Sequence, residues 1–356
     1  MARILYGVHG TGHGHAIRAL TVARHFREHR FLFLSHGAGA AMLRAEFPVL
    51  ESPCLVTVVR HHAVAGMATL RENIVILSQA SAVQRRLEGL IADFRPEVAL
   101  TDYDFFLPRV ARRLGLPCLS LDHQHIIPAG RHPVPPGQRH VYLLTKMIVQ
   151  LLFSCADSYL ATSFFRPAGG SHGNIRVVPP LLREQVLSRR PTPGEHVVAY
   201  QGYETFQRFL PLLMAIPRPV RVYGFDREEQ QGNLFFRRNA ENGFLNDVAG
   251  CRYLICGGSH TLLSEALYFG KPVLSFPIQG AFEQFLNAFY LERLGYGRKL
   301  ETQQPSPAVI AAFEGDLERF QGTIRRGHFC GNAEIYSLIS TFLAHGCLPV
   351  DGRGFD

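Results

Sequence analysis

Two stretches of the chain combine glycines with side chains able to hold an anion or move a proton, and each follows an apolar run. The first is His9-Gly10-Thr11-Gly12-His13-Gly14-His15. Imidazole titrates near neutral pH, so a positioned histidine can take the proton of an attacking hydroxyl. One histidine alone is more often structural, but several in one glycine loop point to a site. The second stretch is Ile255 to Glu292, ICGGSHTLLSEALYFGKPVLSFPIQGAFEQFLNAFYLE. Gly257-Gly258-Ser259 reads as a tight turn into a helix over 261–269, whose apolar residues recur at helical spacing. A helix start offers unpaired N–H groups and the positive end of a dipole, which suits a phosphate. Ser259, His260 and Thr261 are placed to donate to it, with a plain N-cap as the rival explanation for the side chains. Beyond them stand Glu265, one turn into the helix, and Glu283, Gln284 and Asn287, which open the next one.

The elements that must position these groups alternate. Strands are expected at 4–8, 31–35, 55–59, 98–101 and 117–121, with helices at 16–26, 39–45, 72–93 and 107–114 between them. Such alternation implies a parallel sheet, whose ligands bind beyond the carboxyl ends of the strands. Polar residues do collect at those ends: Asp102 and Asp104 after one strand, Asp122-His123-Gln124-His125 after another. The turn-rich stretch Arg166 to Asn174 marks a boundary. Alternation then restarts with strands at 196–200, 220–223, 253–256 and 273–276, helices at 205–214 and near Asn246, and a last amphipathic helix at 331–345. The expected division is 1–170, 171–330, and a C-terminal helix and tail at 331–356 that packs back on the first domain.

With 356 residues, 47% hydrophobic and 19% charged, the chain has ample core for two domains. Its net charge of +8 favours an anionic ligand or surface, but the arginine pairs are scattered and nucleic-acid binding is not expected. Seven cysteines stand singly with no CxxC pair, which fits reduced thiols in a cytoplasmic setting and supports no zinc motif. Asp122, His123 and His125 hint at a metal, yet no recognised ligand spacing completes one. The apolar segment Leu143 to Cys155 is too short to span a bilayer, which needs roughly 20 residues. It is expected to be a core helix, with a membrane-facing patch as the alternative.

The residues GGSHTLLSEALYFGKPVLSFP, continued by FEQFLNAFYLERLGYG, resemble the nucleotide-sugar signature of the MurG-like (GT28 C-terminal) and UDP-glycosyltransferase families. Gly14-His15 with Arg18-Ala19-Leu20 is similar to the N-terminal GHxxPAL element of those enzymes, with Arg18 where proline is usual. The resemblance covers 251–297 most closely and 4–25 less so, and is architectural elsewhere. It implies an α/β GT-B architecture: two Rossmann-like domains with a cleft between them and a C-terminal helix.

By the same resemblance, Gly257, Gly258, Ser259, His260 and Thr261 hold the diphosphate, Glu265 the ribose hydroxyls, and Glu283 with Gln284 the donor sugar. Phe225 would flank the base, and Gly202 lies in a loop near the phosphates. His15 corresponds to the base, with His13 and then His9 as rivals in the same loop. Asp102 corresponds to the acid that orients the base, with Asp104 and Asp122 as rivals. Gly12, Gly14, Arg18, Asp122, His123 and His125 fall on the acceptor side. No cofactor or obligatory metal is expected, because GT-B enzymes stabilise the departing diphosphate with helix dipoles and donors.

The activity implied is inverting transfer of a hexosyl or N-acetylhexosaminyl group from a UDP-sugar to a hydroxyl, in cell-envelope glycan or glycolipid synthesis. The acceptor would be lipid-linked or a polymer precursor, met at the inner membrane surface. A UDP-N-acetylglucosamine 2-epimerase and a non-catalytic nucleotide- or glycan-binding protein are the competing classes.

Overall fold

The computed structural model describes residues 1–170, 173–200, 209–238, 241–300 and 306–349. Its strands begin with β1 (Arg3–Val8), β2 (Arg30–Ser35), β3 (Val49–Glu51), β4 (Val59–Arg60) and β5 (Ala63–Val64). Next come β6 (Val98–Asp102), β7 (Cys118–Asp122), β8 (Ser158–Thr162), β9 (Ile175–Val178), β10 (Val197–Tyr200) and β11 (Val220–Tyr223). The last are β12 (Glu229–Gln231), β13 (Leu234–Phe236), β14 (Leu254–Cys256), β15 (Val273–Ser275) and β16 (Gly297–Lys299). The first helices are α1 (Gly14–His25), α2 (Gly37–Arg44), α3 (Gly66–Ser78), α4 (Ala80–Ile91), α5 (Leu107–Arg113), α6 (Ile126–Ala129) and α7 (Arg139–Ile148). They are followed by α8 (Glu184–Leu187), α9 (Leu210–Met214), α10 (Glu241–Gly250), α11 (His260–Tyr268), α12 (Phe282–Arg293), α13 (Ala308–Gly315), α14 (Leu317–Ile324) and α15 (Asn332–His345).

Two compact units result: Met1–Val58 with Gly66–Arg183 and the stretch from Gly331, and Val59–Ala65 with Glu184–Cys330. The division after Arg183 replaces the boundary expected at residue 170. In the first unit seven strands form a parallel sheet in the order β3-β2-β1-β6-β7-β8-β9. Strands such as RILYGV are apolar on alternate and intervening positions alike, as a sheet covered on both faces requires. On one face Ile4, Tyr6 and Val8 meet Ala16, Ala19 and Ala23 of α1 and Ile335, Ile339 and Phe342 of α15. On the other, Leu5, Leu34 and Ala99 meet Leu87 and Ile91 of α4, Leu107 and Val110 of α5, and Phe106 at the N-cap of α5.

The second unit repeats the plan with the order β12-β13-β11-β10-β14-β15-β16, parallel except for the β12–β13 pair. Val197, Val220, Val222, Ile255 and Leu274 pack there with Phe313 and Phe320. The β4–β5 hairpin joins this unit through Ala63 and Gln279, where Val64 N donates to Gln279 O (2.9 Å) and Gln279 N to His62 O (3.0 Å).

Three expectations are corrected. Of the strand expected at 55–59 only Val59 is in a strand, as the start of β4, and over 55–58 side chains of α3 take over the backbone bonding a neighbouring strand would have supplied. Asn73 pairs with both Val56 N and Val56 O (2.8 Å each), and Thr69 Oγ1 accepts from Val58 N (3.0 Å). The helix expected over 72–93 is two, α3 and α4, separated at Gln79. The core helix expected within 143–155 is core only in part: Val149 and Phe153 are buried, while the stretch belonging to α7 lies at the surface. No residue of α7 is buried, and Leu143 (62%) and Leu151 (67%) are well exposed. Apolar spacing alone does not say which medium an amphipathic face meets. Of the helix expected at 205–214, Leu210–Met214 is helical and 205–208 lie outside the described residues. Among the described residues no helix is long and apolar enough to cross a membrane.

Candidate functional site

In the first unit β1 and β6 lie side by side, with Val8 opposite Asp102, so the loop after β1 and the end of β6 share one edge of the sheet. His15 stands in the first turn of α1. Its Nδ1 lies 2.7 Å from Asp102 Oδ1, and the Asp102 carboxylate is fully buried. Arg18, one turn further along α1, reaches the same carboxylate with both arms of its fork: Nε donates to Oδ2 and Nη2 to Oδ1, each at 2.7 Å. Burial works against the Arg18 charge, but Asp102 outweighs it and raises the guanidinium above its ordinary value. A carboxylate on Nδ1 holds the ring in one orientation and assigns Nδ1 the proton, so that Nε2 carries the lone pair. This is the geometry of a general base with its orienting acid. Gln124 Nε2 approaches that Nε2 at 3.5 Å, and the Tyr103 ring lies nearly parallel to the imidazole (centroids 6.3 Å apart, 13°). Tyr103 holds φ of 55°, in the left-handed region that costs a non-glycine residue about 1–3 kcal/mol.

The neighbouring candidates separate by environment. His13 is exposed at the N-cap of α1 and makes no side-chain capping bond. Gly12 (φ 78°) is exposed beside it, and Gly14 opens the helix. Arg18, expected on the acceptor side, is only 6% exposed and is the partner of Asp102. Asp122, His123 and His125, expected there too, are each 1% exposed and form a polar network under the surface. In that network His125 Nδ1 lies 2.6 Å from Asp122 Oδ2, and His123 Nδ1 lies 2.6 Å from Thr162 O. Burial would raise the Asp122 carboxyl, but the His125 ring and the hydroxyl of Ser120 hold it well below the usual carboxylate range. Asp104 caps α5, accepting from Phe106 N (2.9 Å) and Leu107 N (2.6 Å) with Oδ1. Its burial pushes the carboxyl up to about 6 despite those bonds. Gln124 is the residue near His15 that sequence reasoning did not select; its place in the run after Asp122 was the available signal.

In the second unit β14 leads through Gly257-Gly258-Ser259 into α11. Ser259 is exposed and makes no side-chain cap bond, so the first-turn N–H groups have no cap from that hydroxyl. The glycines serve packing. A Cβ on Gly258 would stand 2.4 Å from Gln284 O and 2.6 Å from Gln284 Cα, so α12 fits against the turn only where that carbon is missing. The turn is then clamped: Ser275 Oγ donates to Gly257 O (3.1 Å), and Asn287 Nδ2 donates to Gly258 O (2.9 Å). Gln284 Oε1 accepts from Ile278 N (3.1 Å) and, at longer range, Gly258 N (3.5 Å). Gln284, expected to read sugar hydroxyls, therefore has its amide oxygen turned to the backbone of its own loop.

His260 is buried at the helix start, Thr261 is half-buried, and Glu265 is 1% exposed one turn further in. Glu283 lies half-buried in the first turn of α12, where a carboxylate complements the dipole. Phe225 is half-buried between Phe209 (6.3 Å) and Phe236 (5.6 Å), with the Arg227 guanidinium 5.5 Å from its ring. Phe244 and Leu245 are buried nearby in sequence, at the core side of α10. Gly202 lies outside the described residues.

Solved structures with this fold include the calicheamicin glycosyltransferase CalG4 (TM-score 0.65, 18% identity, 97% of this chain and 99% of that one). MurG of Acinetobacter baumannii is similar at TM-score 0.62 and 15% identity, over 96% of this chain and 100% of that one. The Streptomyces glycosyltransferase SsfS6, solved with thymidine diphosphate, matches at TM-score 0.59 and 16% identity, over 96% and 100%. In sequence, an uncharacterized glycosyltransferase of Methanosarcina acetivorans is 23% identical over 344 residues, 89% of this chain and 90% of that protein. Residues 2–317 match the family model of glycosyl transferase family 1, and the chain belongs to that family as a glycosyltransferase of two-domain α/β GT-B architecture.

Proposed function

We propose that this glycosyltransferase moves a sugar from a pyrimidine nucleoside diphosphate sugar to a hydroxyl acceptor, with inversion at the anomeric carbon. The observation that carries the reading is the 2.7 Å contact between His15 Nδ1 and buried Asp102. In one displacement the acceptor hydroxyl gives its proton to His15 Nε2 while its oxygen bonds to the anomeric carbon. The anomeric bond to the diphosphate breaks and the electron pair leaves on the phosphate oxygen. The start of α11 and the exposed Ser259 are suited to the negative charge that develops there, which makes an obligatory metal on the diphosphate unnecessary. Glu265 is the residue assigned to the ribose and Phe225 the one assigned to the base. The carriers proposed are UDP, from the sequence signature, and dTDP, because SsfS6, which has a similar fold, was solved with thymidine diphosphate.

A thermal-shift and turnover screen across UDP-, dTDP-, GDP- and CDP-sugars tests the donor. A pyrimidine diphosphate should stabilise the protein, and Glu265→Ala should weaken that nucleotide about tenfold or more, as loss of a charge-assisted hydrogen bond predicts. Stabilisation by GDP-sugars alone, or unchanged nucleotide affinity in Glu265→Ala, would overturn the donor assignment.

The acceptor reading rests on surface. Met67 (80%), Leu70 and Ile74 of α3 and Leu143, Leu144 and Met147 of α7 are exposed, and α7 also carries Arg139 and Lys146. Apolar side chains beside cations suit an anionic lipid surface and hence a lipid-linked acceptor. Among the described residues no cysteine is in a disulfide, which accords with the reducing, cytoplasmic side of such a membrane. The protein should co-sediment with phosphatidylglycerol vesicles, less with phosphatidylcholine, and Leu143→Ser with Leu144→Ser should lower the bound fraction. Equal sedimentation of variant and parent would remove this support.

A further inference from the structure

Three side chains that the transfer reading does not use converge in the first unit. His9 follows β1, His36 follows β2 and Cys54 lies three residues beyond β3, and these strands are neighbours in the sheet. Parallel pairing therefore brings their carboxyl ends to one edge, and the three side chains meet there from loops far apart in the chain. One ligand atom from each lies within 4.8 Å of the other two. His9 Nδ1 is 3.1 Å from Cys54 Sγ, and the His9 and His36 rings stand edge to face at 5.4 Å. The Cys54 thiol also donates to Leu55 O (3.3 Å).

The backbone is shaped to bring His36 in. A Cβ on Gly10 would fall 1.8 Å from His36 O and 2.9 Å from His36 Cγ, so only glycine lets the loop after β1 approach so closely. Both ring nitrogens of His36 are shielded from solvent and have no hydrogen-bond partner among the described residues. Leaving two polar atoms without partners is costly, on the order of 1–3 kcal/mol for each, and calls for something at that place to meet them. A neutral imidazole offers the lone pair that a metal takes.

We propose that His9, His36 and Cys54 form a binding site for a single thiophilic divalent ion of the zinc class. Two imidazoles and a thiolate are a borderline-soft set that selects zinc or cobalt over magnesium or calcium. Zinc bonds to nitrogen and sulfur at about 2.0–2.3 Å, so binding draws the three atoms inward from their present spacing. The proton now shared along the His9 Nδ1 and Cys54 Sγ contact is the one displaced: the thiol S–H breaks, the S–metal bond forms, and one proton goes to solvent for each ion bound. The fourth position is left for water or an anionic group. All three ligands belong to the first unit, and holding the diphosphate is not the role proposed for the ion. It pins the loop between β1 and α1 that leads to His15, whose ring is 5.1 Å from that of His9.

Zinc and cobalt titrations of the full chain, stripped of metal and fully reduced, test the site. The parent should bind one equivalent, release one proton by calorimetry in buffers of different ionisation enthalpy, and show a thiolate-to-cobalt charge-transfer band with Co2+. Cys54→Ser should abolish the band, and Cys54→Ser and His36→Asn should each weaken zinc at least about tenfold while magnesium produces no effect. Far-UV circular dichroism without metal confirms that both variants are folded, and zinc should raise the Tm of the parent but not of Cys54→Ser. No charge-transfer band in the parent would overturn the assignment. So would a band and affinity unchanged in both variants, which would put the ion on other cysteines and histidines.

Discussion

The loop after β1 and the turn after β14 are the same strand-turn-helix unit built twice, and they use glycine for different ends. After β1, Gly12 takes φ of 78° in open space and Gly10 admits the His36 backbone, so the loop gathers ionisable rings around Asp102. After β14 neither Gly257 nor Gly258 has positive φ. Gly258 is the surface on which Gln284 rests, and Ser275, Asn287 and Gln284 tie the turn in place. On the function proposed above, one copy would move the proton and the other would present a fixed set of N–H groups. A shared topology thus does not predict a shared role; the side chains on the adjacent strand ends do.

The largest effect that would sharpen this contrast is expected on charge in the first loop. Asp102→Asn leaves the Arg18 guanidinium buried without its counter-charge, and breaking such a pair costs about 3–5 kcal/mol. Urea unfolding measures it, and a loss below about 1 kcal/mol would show that the pair is not essential to the loop. Asp104→Asn comes next and works through pH. The Asp104 carboxyl is raised to about 6, so the folded state favours its protonated form. Its stabilising contribution is full below the unfolded value near 4 and is lost as pH rises through about 6. A shift of that size is worth about 3 kcal/mol. Asn keeps an oxygen for Phe106 N and Leu107 N, so the variant should gain on the parent as pH rises from 4 to 7.5. His9 and His36, lowered in the folded state, act in the opposite direction, and the difference between parent and variant removes their contribution. A constant difference across that range would contradict the burial of Asp104.

Smaller effects distinguish the two kinds of glycine. Gly258→Ala must move α12 away from the turn, a forced overpacking worth about 1–3 kcal/mol, and should weaken nucleotide binding with it. Gly12→Ala meets no atom and pays only for its positive φ, roughly 1 kcal/mol, with nucleotide affinity unchanged. Thermal melts and calorimetry on both variants check this order, and equal nucleotide losses would erase the distinction.

Much of the second site could be read from residues 255–292 because its parts are local: turn, helix start and the following helix lie within one supersecondary unit. The same locality gave the strand ends at Asp102 and Asp122. Arg18 was misjudged because its bidentate pairing with Asp102 spans 84 positions, and no spacing rule reports such a contact. His36 and Cys54 went unselected for the same reason: each is unremarkable in its own segment, and only the order β3-β2-β1 brings them to His9. Residues 55–58 have strand composition but find side-chain partners in Asn73 and Thr69, a tertiary choice that propensity does not contain. The exposure of Leu143 and Leu151 was undetermined by periodicity, which locates an apolar face but not what covers it.

If His15, oriented by Asp102, is the base, kcat and nucleotide Kd measured together for His15→Ala, with the donor identified in the nucleotide-sugar screen, must part company. Loss of a general base predicts a fall in kcat of about 10²–10⁴ with nucleotide Kd within about twofold of the parent. A kcat within about threefold of the parent, or a fall explained entirely by weakened nucleotide binding, would contradict it.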